Sequence, residues 1–480
     1  MKKHYLLLPS LLLAACGGGS SNAPDGASSV VETPAPASEP EVRTHFFGAS
    51  NGVNGFQLWK TDGTEAGTAM VKVINESGSA DVRVIGSLDG KAIFTAKDGI
   101  NGRELWVSDG TEAGTMMLKD INPGSANTSI ETFSVVGNTL YFDAYASATG
   151  NELWKTDGTA AGTMMVKDIN PGANSSNVER IVVLNSDIYF RAHDGVNGYQ
   201  LWKSDGTEAG TVSIGAPVVP YDEMLVLDGT IYFKGYDNVT GAELWKSDGT
   251  VAGTVMVKDI FPGITESRVS DIVSMGGNIY FLAAESNAQG LELWRSAGTA
   301  AGTVLVKNIN TQTSGSFNNN GSRIRYLTAT NDKLFFTARP SSASTISELW
   351  VSDGTEAGTI SLHSSAGSVS DIIVTQNGTY FDGFDATNGN ELWKTDGTVA
   401  GTALLKDVVP GTGSSGFLSL GGYNYYETPS APVLELSDGS ILLAGYTPDK
   451  GVELWKTDGT AAGTVIVKDM NPDAGDGLDN

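Results

Sequence analysis

The chain reads as an all-β propeller of about eight or nine four-stranded blades, and three observations predict it. First, a block of the form Leu-Trp-x-x-Asp-Gly-Thr-x-Ala-Gly-Thr occurs nine times, and every tryptophan belongs to a copy: Trp59, Trp106, Trp154, Trp202, Trp245, Trp294, Trp350, Trp393 and Trp455. Second, successive tryptophans lie 47, 48, 48, 43, 49, 56, 43 and 62 residues apart, while the last Thr always falls nine residues after its Trp. One supersecondary unit repeated at that period is a blade rather than a domain. Third, the chain has 60 glycines and only 18% charged residues, and no stretch of ten or more residues carries a helical period. A parallel β-solenoid, with its shorter coils, ranks second.

The N-terminus comes before the repeats. Lys2 and Lys3 precede an apolar stretch from Tyr5 to Leu13, then Ala14, Ala15 and Cys16. That is the form of a secretory leader, residues 1–15, too short for a membrane-spanning helix. Leu13-Ala14-Ala15-Cys16 resembles the lipobox of bacterial lipoproteins. The resemblance implies cleavage before Cys16, diacylation of its thiol and acylation of the new terminus, an anchor of several acyl chains in the bilayer. Gly17 stands where Asp would signal inner-membrane retention, so the implied address is the outer membrane of a Gram-negative bacterium, periplasmic or surface-facing. Cys16 is the only cysteine. The mature domain therefore forms no disulfide and no thiolate zinc site. Residues 16–43, rich in Gly, Ser, Ala and Pro, form a flexible tether spanning roughly 30 Å.

Residues 44–480 carry the repeats. In the fourth copy, Ile181–Leu184 is apolar, and Asn185-Ser186-Asp187 turns into Ile188-Tyr189-Phe190-Arg191-Ala192. Asp194-Gly195-Val196-Asn197-Gly198 turns again, Tyr199–Lys203 is the next strand, and Thr211 opens the last. That makes four short strands per copy. Leu and Trp are adjacent in their strand and face opposite sides, as a blade packed on both sides requires. Each Trp is thus expected in packing between blades rather than in ligand stacking. The Asp of Asp-Gly-Thr is expected to close a turn on backbone amides; the sixth copy has Ala297 there. The first copy starts at Thr44 without the strand that opens the others, and Ser29-Val30-Val31 is a candidate to supply it. An insertion at Gly421–Pro432 carries Tyr423, Tyr425 and Tyr426, candidate ligand contacts.

The block Glu243–Thr250, with its Ala-Gly-Thr and Val-Lys-Asp-Ile sequel, resembles the Glu-Leu-Trp-x-Ser-Asp-Gly-Thr repeats of secreted and surface proteins of bacteria. The resemblance spans all nine copies; it implies a propeller-like fold outside the cytoplasm and no defined activity. Ala96-x-Asp98-x-x-x-Gly102-x-x-x-Trp106 and Ala192-x-Asp194-x-x-x-Gly198-x-x-x-Trp202 are similar, in part, to the tryptophan-docking motif of quinoprotein-type propellers. That group includes PQQ dehydrogenases and a propeller lipoprotein of outer-membrane protein assembly. Ala146, Ser286 and Thr447 depart from the motif.

Net charge is −25, and −25 − 2 = −27 once Lys2 and Lys3 leave with the leader. Such a surface disfavours nucleic acid and anionic lipid. The chain has no His-Glu-x-x-His and no Gly-x-Ser-x-Gly, and its histidines, His4, His45, His193 and His363, have no metal-like spacing. No catalytic residue and no cofactor is expected. Calcium on Asp98-Gly-x-Asn101-Gly, on Asp194-Gly-x-Asn197-Gly or on Asp473, Asp476 and Asp479 is the alternative to ordinary turns and a solvated tail. The function expected is a monomeric binding scaffold for a protein or glycan. The alternatives are an envelope-assembly scaffold and a carbohydrate-active enzyme working through paired carboxylates.

Overall fold

A computed structural model describes residues 43–216, 218–311, 321–341, 343–363, 369–419, 434–472 and 475–478. Cys16, Ser29–Val31, the three insertion tyrosines, Asp473 and Asp479 lie outside the described residues. The strands form nine antiparallel sheets, each of consecutive strands, arranged as a nine-bladed β-propeller. No helix occurs among the described residues. Eight sheets have four strands; the first is described for three.

Blade 4 shows the plan: an inner strand Glu179–Leu184, a second strand Asp187–His193, a tryptophan strand Tyr199–Ser204 and an outer strand Val212–Ser213. Thr211, expected to open the outer strand, instead ends the turn, where its hydroxyl bonds Ser204 Oγ at 2.7 Å. Inner strands of successive blades neighbour one another and so line the central channel. In blade 1, Phe47 pairs Trp59 as Phe190 pairs Trp202, so His45–Ser50 is a second strand. The strands alternate in direction. One face of the ring therefore carries the links from each outer strand to the next inner strand; the other carries the Asp-Gly-Thr turns.

Leu and Trp do pack toward opposite neighbours. Trp154 sits with Ile93 and Leu105 of blade 2, whereas Leu153 sits with Ile188, Phe190 and Trp202 of blade 4. All nine tryptophans are between 3% and 8% exposed, each in a cluster that spans two blades. Lysines add a second tie. Lys60 Nζ donates to Gly110 O at 2.8 Å, Lys155 to Gly206 O at 2.9 Å and Lys246 to Gly298 O at 2.9 Å, each reaching the turn of the next blade. The same tie closes the ring: Lys456 Nζ reaches Gly63 O at 3.1 Å and Lys468 Nζ reaches Thr68 O at 2.8 Å.

The Asp-Gly-Thr turn saturates itself. In blade 3, Asp157 Oδ1 accepts from Thr159 N at 2.9 Å and Thr159 Oγ1 at 2.7 Å, and Thr159 Oγ1 accepts from Gly162 N at 3.0 Å. Ala297 removes the first acceptor in blade 6, and of the three bonds just described only that from Gly302 N to Thr299 Oγ1 remains, at 3.1 Å. Ala297→Asp is therefore expected to stabilise the protein by about 0.5–1.5 kcal/mol, read as a raised urea midpoint.

In seven blades the Glu or Gln before Leu-Trp holds the link on the opposite face, whereas Gln200 and Glu348 accept from Ser213 and Ser361 of their outer strands. Glu152 Oε2 accepts from Ile169 N at 2.8 Å and Oε1 from Ser176 N at 2.9 Å. Glu104, Glu243, Glu292 and Glu453 take the equivalent amide of their own blades, and Gln57 Oε1 accepts from Ile74 N at 2.8 Å. Burial pushes Glu104, Glu152, Glu243, Glu292 and Glu453 up to about 7, outweighing the hydrogen bonds that pull the other way. The folded state thus binds more protons than the unfolded chain, whose glutamates titrate near ~4.3. Stability from these groups is complete below that range and is lost as pH rises through about 7. The turn aspartates behave oppositely: Thr hydroxyls hold Asp157 and Asp248 below the usual range, so their share is lost as pH falls through those lowered values. Thermal midpoints across pH 4–9 are expected to peak at mildly acid pH and fall toward pH ~8. A rise from pH ~5 to ~8 would contradict this assignment.

Candidate functional site

Nine near-identical units still differ sharply at one place, the end of the channel where the inner strands begin. The chain has ten arginines. Seven of them, Arg83, Arg180, Arg191, Arg268, Arg323, Arg325 and Arg339, stand at or just before the start of an inner strand, or on the segments paired with that start, and an eighth, Arg103, opens the tryptophan strand of blade 2 and reaches Asp81 there. In the second strand, the residue after the repeated Phe varies as Thr95, Asp143, Arg191, Lys234, Leu282, Thr337 and Asp382.

Backbone geometry marks the same place. Inner strands bulge just after they begin: Glu179 pairs Arg191 and Val182 pairs Tyr189, three residues against two. The bulge residues Arg180, Asp271, Tyr326 and Asp371 have φ of 60°, 52°, 56° and 49°. Asp81, Asn177, Arg268 and Arg323, in the links just before, are also left-handed. Eight of the twelve described non-glycine residues with positive φ thus lie at this mouth. Each left-handed non-glycine costs of order 1–3 kcal/mol, and such strain gathers at binding sites. The chain keeps Arg, Asp and Tyr where Gly would be relaxed.

Their side chains are networked. Asp81 Oδ2 pairs Lys97 Nζ at 2.7 Å and Arg103 Nη2 at 3.4 Å, and Arg83 Nη1 donates to Ile130 O of blade 3 at 2.9 Å. Arg191 pairs Glu179 and lies over the Tyr199 ring, 3.4 Å from its centroid. Glu266 pairs Lys234 at 3.6 Å and Arg268 at 3.8 Å. Three acids are buried here, Asp143, Asp382 and Glu223, the last accepting from Ile272 N of blade 6 at 3.0 Å. Asp143 accepts from Glu131 N and Thr132 N at 2.7 Å and from Asn151 Nδ2 at 2.8 Å, and burial raises it to about 6. Asp382 accepts from Ser370 Oγ at 3.0 Å; burial, with Asp371 and Glu391 nearby, raises it to about 7.

A cavity of about 230 Å³ opens between blades 7 and 8 within this mouth. Arg323, Arg325 and Arg339 line it together with Tyr326, Thr337 and Ser370.

The sequence-predicted positions fall elsewhere. The tryptophans lie between blades; Phe94 stacks on Trp106 at 6.3 Å and Phe381 on Trp393 at 6.1 Å. The carboxylates of Asp98 and Asp194 each close their own turn: Asp194 Oδ1 accepts from Val196 N at 2.9 Å and Asn197 N at 2.6 Å, and Oδ2 from Asn197 Nδ2 at 2.7 Å. Among the described residues no three His, Cys, Asp or Glu side chains gather as a metal site. The mouth arginines and the Glu before Leu-Trp are what sequence reading missed. Of the first, only Arg191 was signalled by variation after a repeated Phe; the second were signalled by recurrence of Glu or Gln in all nine copies.

Neither a protein-family model nor a curated protein matches the chain. Among solved structures it is similar to one from an analysis of two prolyl endopeptidases, at 12% identity and TM-score 0.44, covering 68% of this chain and 50% of that one. A puromycin hydrolase complexed with PGG is similar at 12% identity and TM-score 0.38, covering 72% and 54%. An uncharacterised protein of Listeria monocytogenes is similar at 10% identity and TM-score 0.37, covering 68% and 94%. The chain thus spans about half the length of the first two.

Proposed function

We propose that this protein is a lipid-anchored, extracytoplasmic binding scaffold whose ligand is held at the arginine-rich mouth of the propeller channel. The observation that carries this reading is the placement of eight of ten arginines, and eight of twelve left-handed non-glycine residues, at one end of an otherwise uniform ring. Repeated residues build the blades; varied and strained ones border the mouth. Guanidinium groups gathered in one place, several of them held by acids, present forked donors that suit anionic oxygens. An anionic ligand is therefore favoured, whether a glycan or a protein segment. The anchor is Cys16, and the tether of residues 16–43 gives the propeller reach from the bilayer.

Binding of the full-length protein in detergent to an array of acidic and neutral glycans and peptides tests the ligand claim. Acidic members are expected to bind at low salt and to weaken steeply with added salt. Selective capture of neutral members would refute it. Metabolic labelling with an alkynyl fatty acid tests the anchor: label is expected on the wild type and absent from Cys16→Ala. Protease treatment of intact cells then separates a surface role from a periplasmic one.

A further inference from the structure

The links between blades differ in length. Residues 168–178 join blade 3 to blade 4 and residues 259–269 join blade 5 to blade 6, whereas residues 214–218 alone join blade 4 to blade 5. In blade 3 the long link lies across the start of the tryptophan strand: Ser176 N donates to Asn151 O at 2.9 Å, and Ser175 Oγ accepts from Asn151 N at 3.0 Å. In blade 4 the chain passes from Ile214, whose N donates to Leu201 O at 2.9 Å, into the inner strand Val219–Leu227 of blade 5. That strand runs directly beside the tryptophan strand of blade 4. The mouth is thereby open at this junction, and aromatic rings fill the opening. Tyr199 opens the tryptophan strand of blade 4, and Tyr221 stands at the bulge of the next inner strand. The Tyr236 ring meets the Tyr221 ring at 6.1 Å and 66°, and His193 meets Tyr199 edge-on at 5.3 Å. The Arg191 guanidinium, paired with Glu179, lies over both Tyr199 and Tyr221, 3.4 Å and 5.5 Å from their centroids.

We propose that the junction of blades 4 and 5 is a sugar-binding platform, on which the Tyr221 ring stacks against the apolar face of one pyranose unit of a glycan. Tyr221 is 46% exposed, whereas Tyr189, Tyr232, Tyr280 and Tyr380 of the blades are at most 9% exposed. The rings around it are already held in place. Asn177 Nδ2 donates to the Tyr199 hydroxyl at 3.0 Å, and the Tyr236 hydroxyl donates to Asn238 Oδ1 at 3.2 Å. Rings ordered beforehand lose little freedom when a ligand arrives. Asn177, Glu179 and Asn238 border the aromatic surface with the amide and carboxylate groups that sugar hydroxyls need. A proline-rich peptide needs a slot between rings. Here Tyr221 and Tyr236 meet at 66°, and Arg191 covers a face of Tyr199. This rests on the mouth reading above for its place and narrows the ligand there to a glycan.

The glycan and peptide array, probed with the full-length protein in detergent and with its variants, tests it. Tyr221→Ala is expected to weaken glycan binding about tenfold or more, and Tyr221→Phe to keep it within about threefold, because stacking uses the ring rather than the hydroxyl. Tyr446→Ala, in blade 9 across the ring and 40% exposed in the wild type, is expected to leave it within about twofold. Glycan binding unchanged in Tyr221→Ala would overturn the platform while sparing the mouth reading. Capture of peptides alone, lost in Tyr221→Ala, would overturn the sugar assignment. An array with no acidic binder would sink the mouth reading; one with no glycan binder at all would overturn the platform as well. As a check independent of variant folding, the tightest glycan of the array is expected to protect Tyr221 of the wild type, but not Tyr446, from nitration by tetranitromethane, read by mass spectrometry. Equal nitration of Tyr221 with and without that glycan would overturn the platform.

Discussion

Trp154→Ala is expected to destabilise the propeller by about 3–5 kcal/mol, the range for removing a large aromatic from a packed core. Trp154 is 8% exposed and meets Ile93, Leu105, Leu140 and Phe142 across the junction of blades 2 and 3. Its loss leaves a void that neither blade fills, because strand pairing inside each sheet fixes both backbones. Trp154→Phe is expected to retain part of the loss. The urea midpoint measures both. Binding to acidic array members at 4 °C is expected to persist in folded Trp154→Ala, since the indole lies between blades rather than in the mouth. A variant with wild-type stability but no binding would instead make this Trp a ligand contact.

Removing residues 465–480 is expected to have the next largest effect, because it opens the ring. The outer strand Val465–Lys468 completes blade 9, and Val467, Met470 and Leu478 are buried with Phe47, Ala49 and Trp59 of blade 1. Burying three such side chains contributes roughly 4–9 kcal/mol in total. Two polar ties go with them: Ser50 N to Gly477 O at 2.8 Å and Lys468 Nζ to Thr68 O at 2.8 Å. In a repeat array each unit is supported by its neighbours, so an open end frays. Hydrogen exchange is expected to quicken first in blades 1 and 9, while blades 4 to 6 keep their protection. Uniform protection around the ring would contradict closure between blades 9 and 1.

The architecture was legible because its signals are local. Asp-Gly-Thr and the run Ile188–Ala192 specify a turn and a strand within a few residues, and the period then counts the blades. The start of an inner strand was less legible. The apolar pattern of blade 4 begins at Ile181, whereas the strand begins at Glu179; the bulge at Arg180 breaks the alternation that would reveal it. Glu152 was hidden for another reason: its partners Ile169 and Ser176 are 17 and 24 residues away. The mouth combines both obstacles. Arg191 and Arg325 belong to different blades, and only the closed ring turns their similar places in the repeat into one site. The tyrosines of the insertion stood out by composition, whereas the arginines, two or three in some copies and none in others, did not.

Hydrogen exchange of the full-length protein with and without the tightest acidic ligand from the array tests the central claim most directly. Protection is expected on the starts of the inner strands, residues 81–84, 179–182, 268–272 and 323–327, with little change in the Asp-Gly-Thr turns of the opposite face. Protection confined to those turns or to the outer strands, with the mouth unchanged, would contradict it.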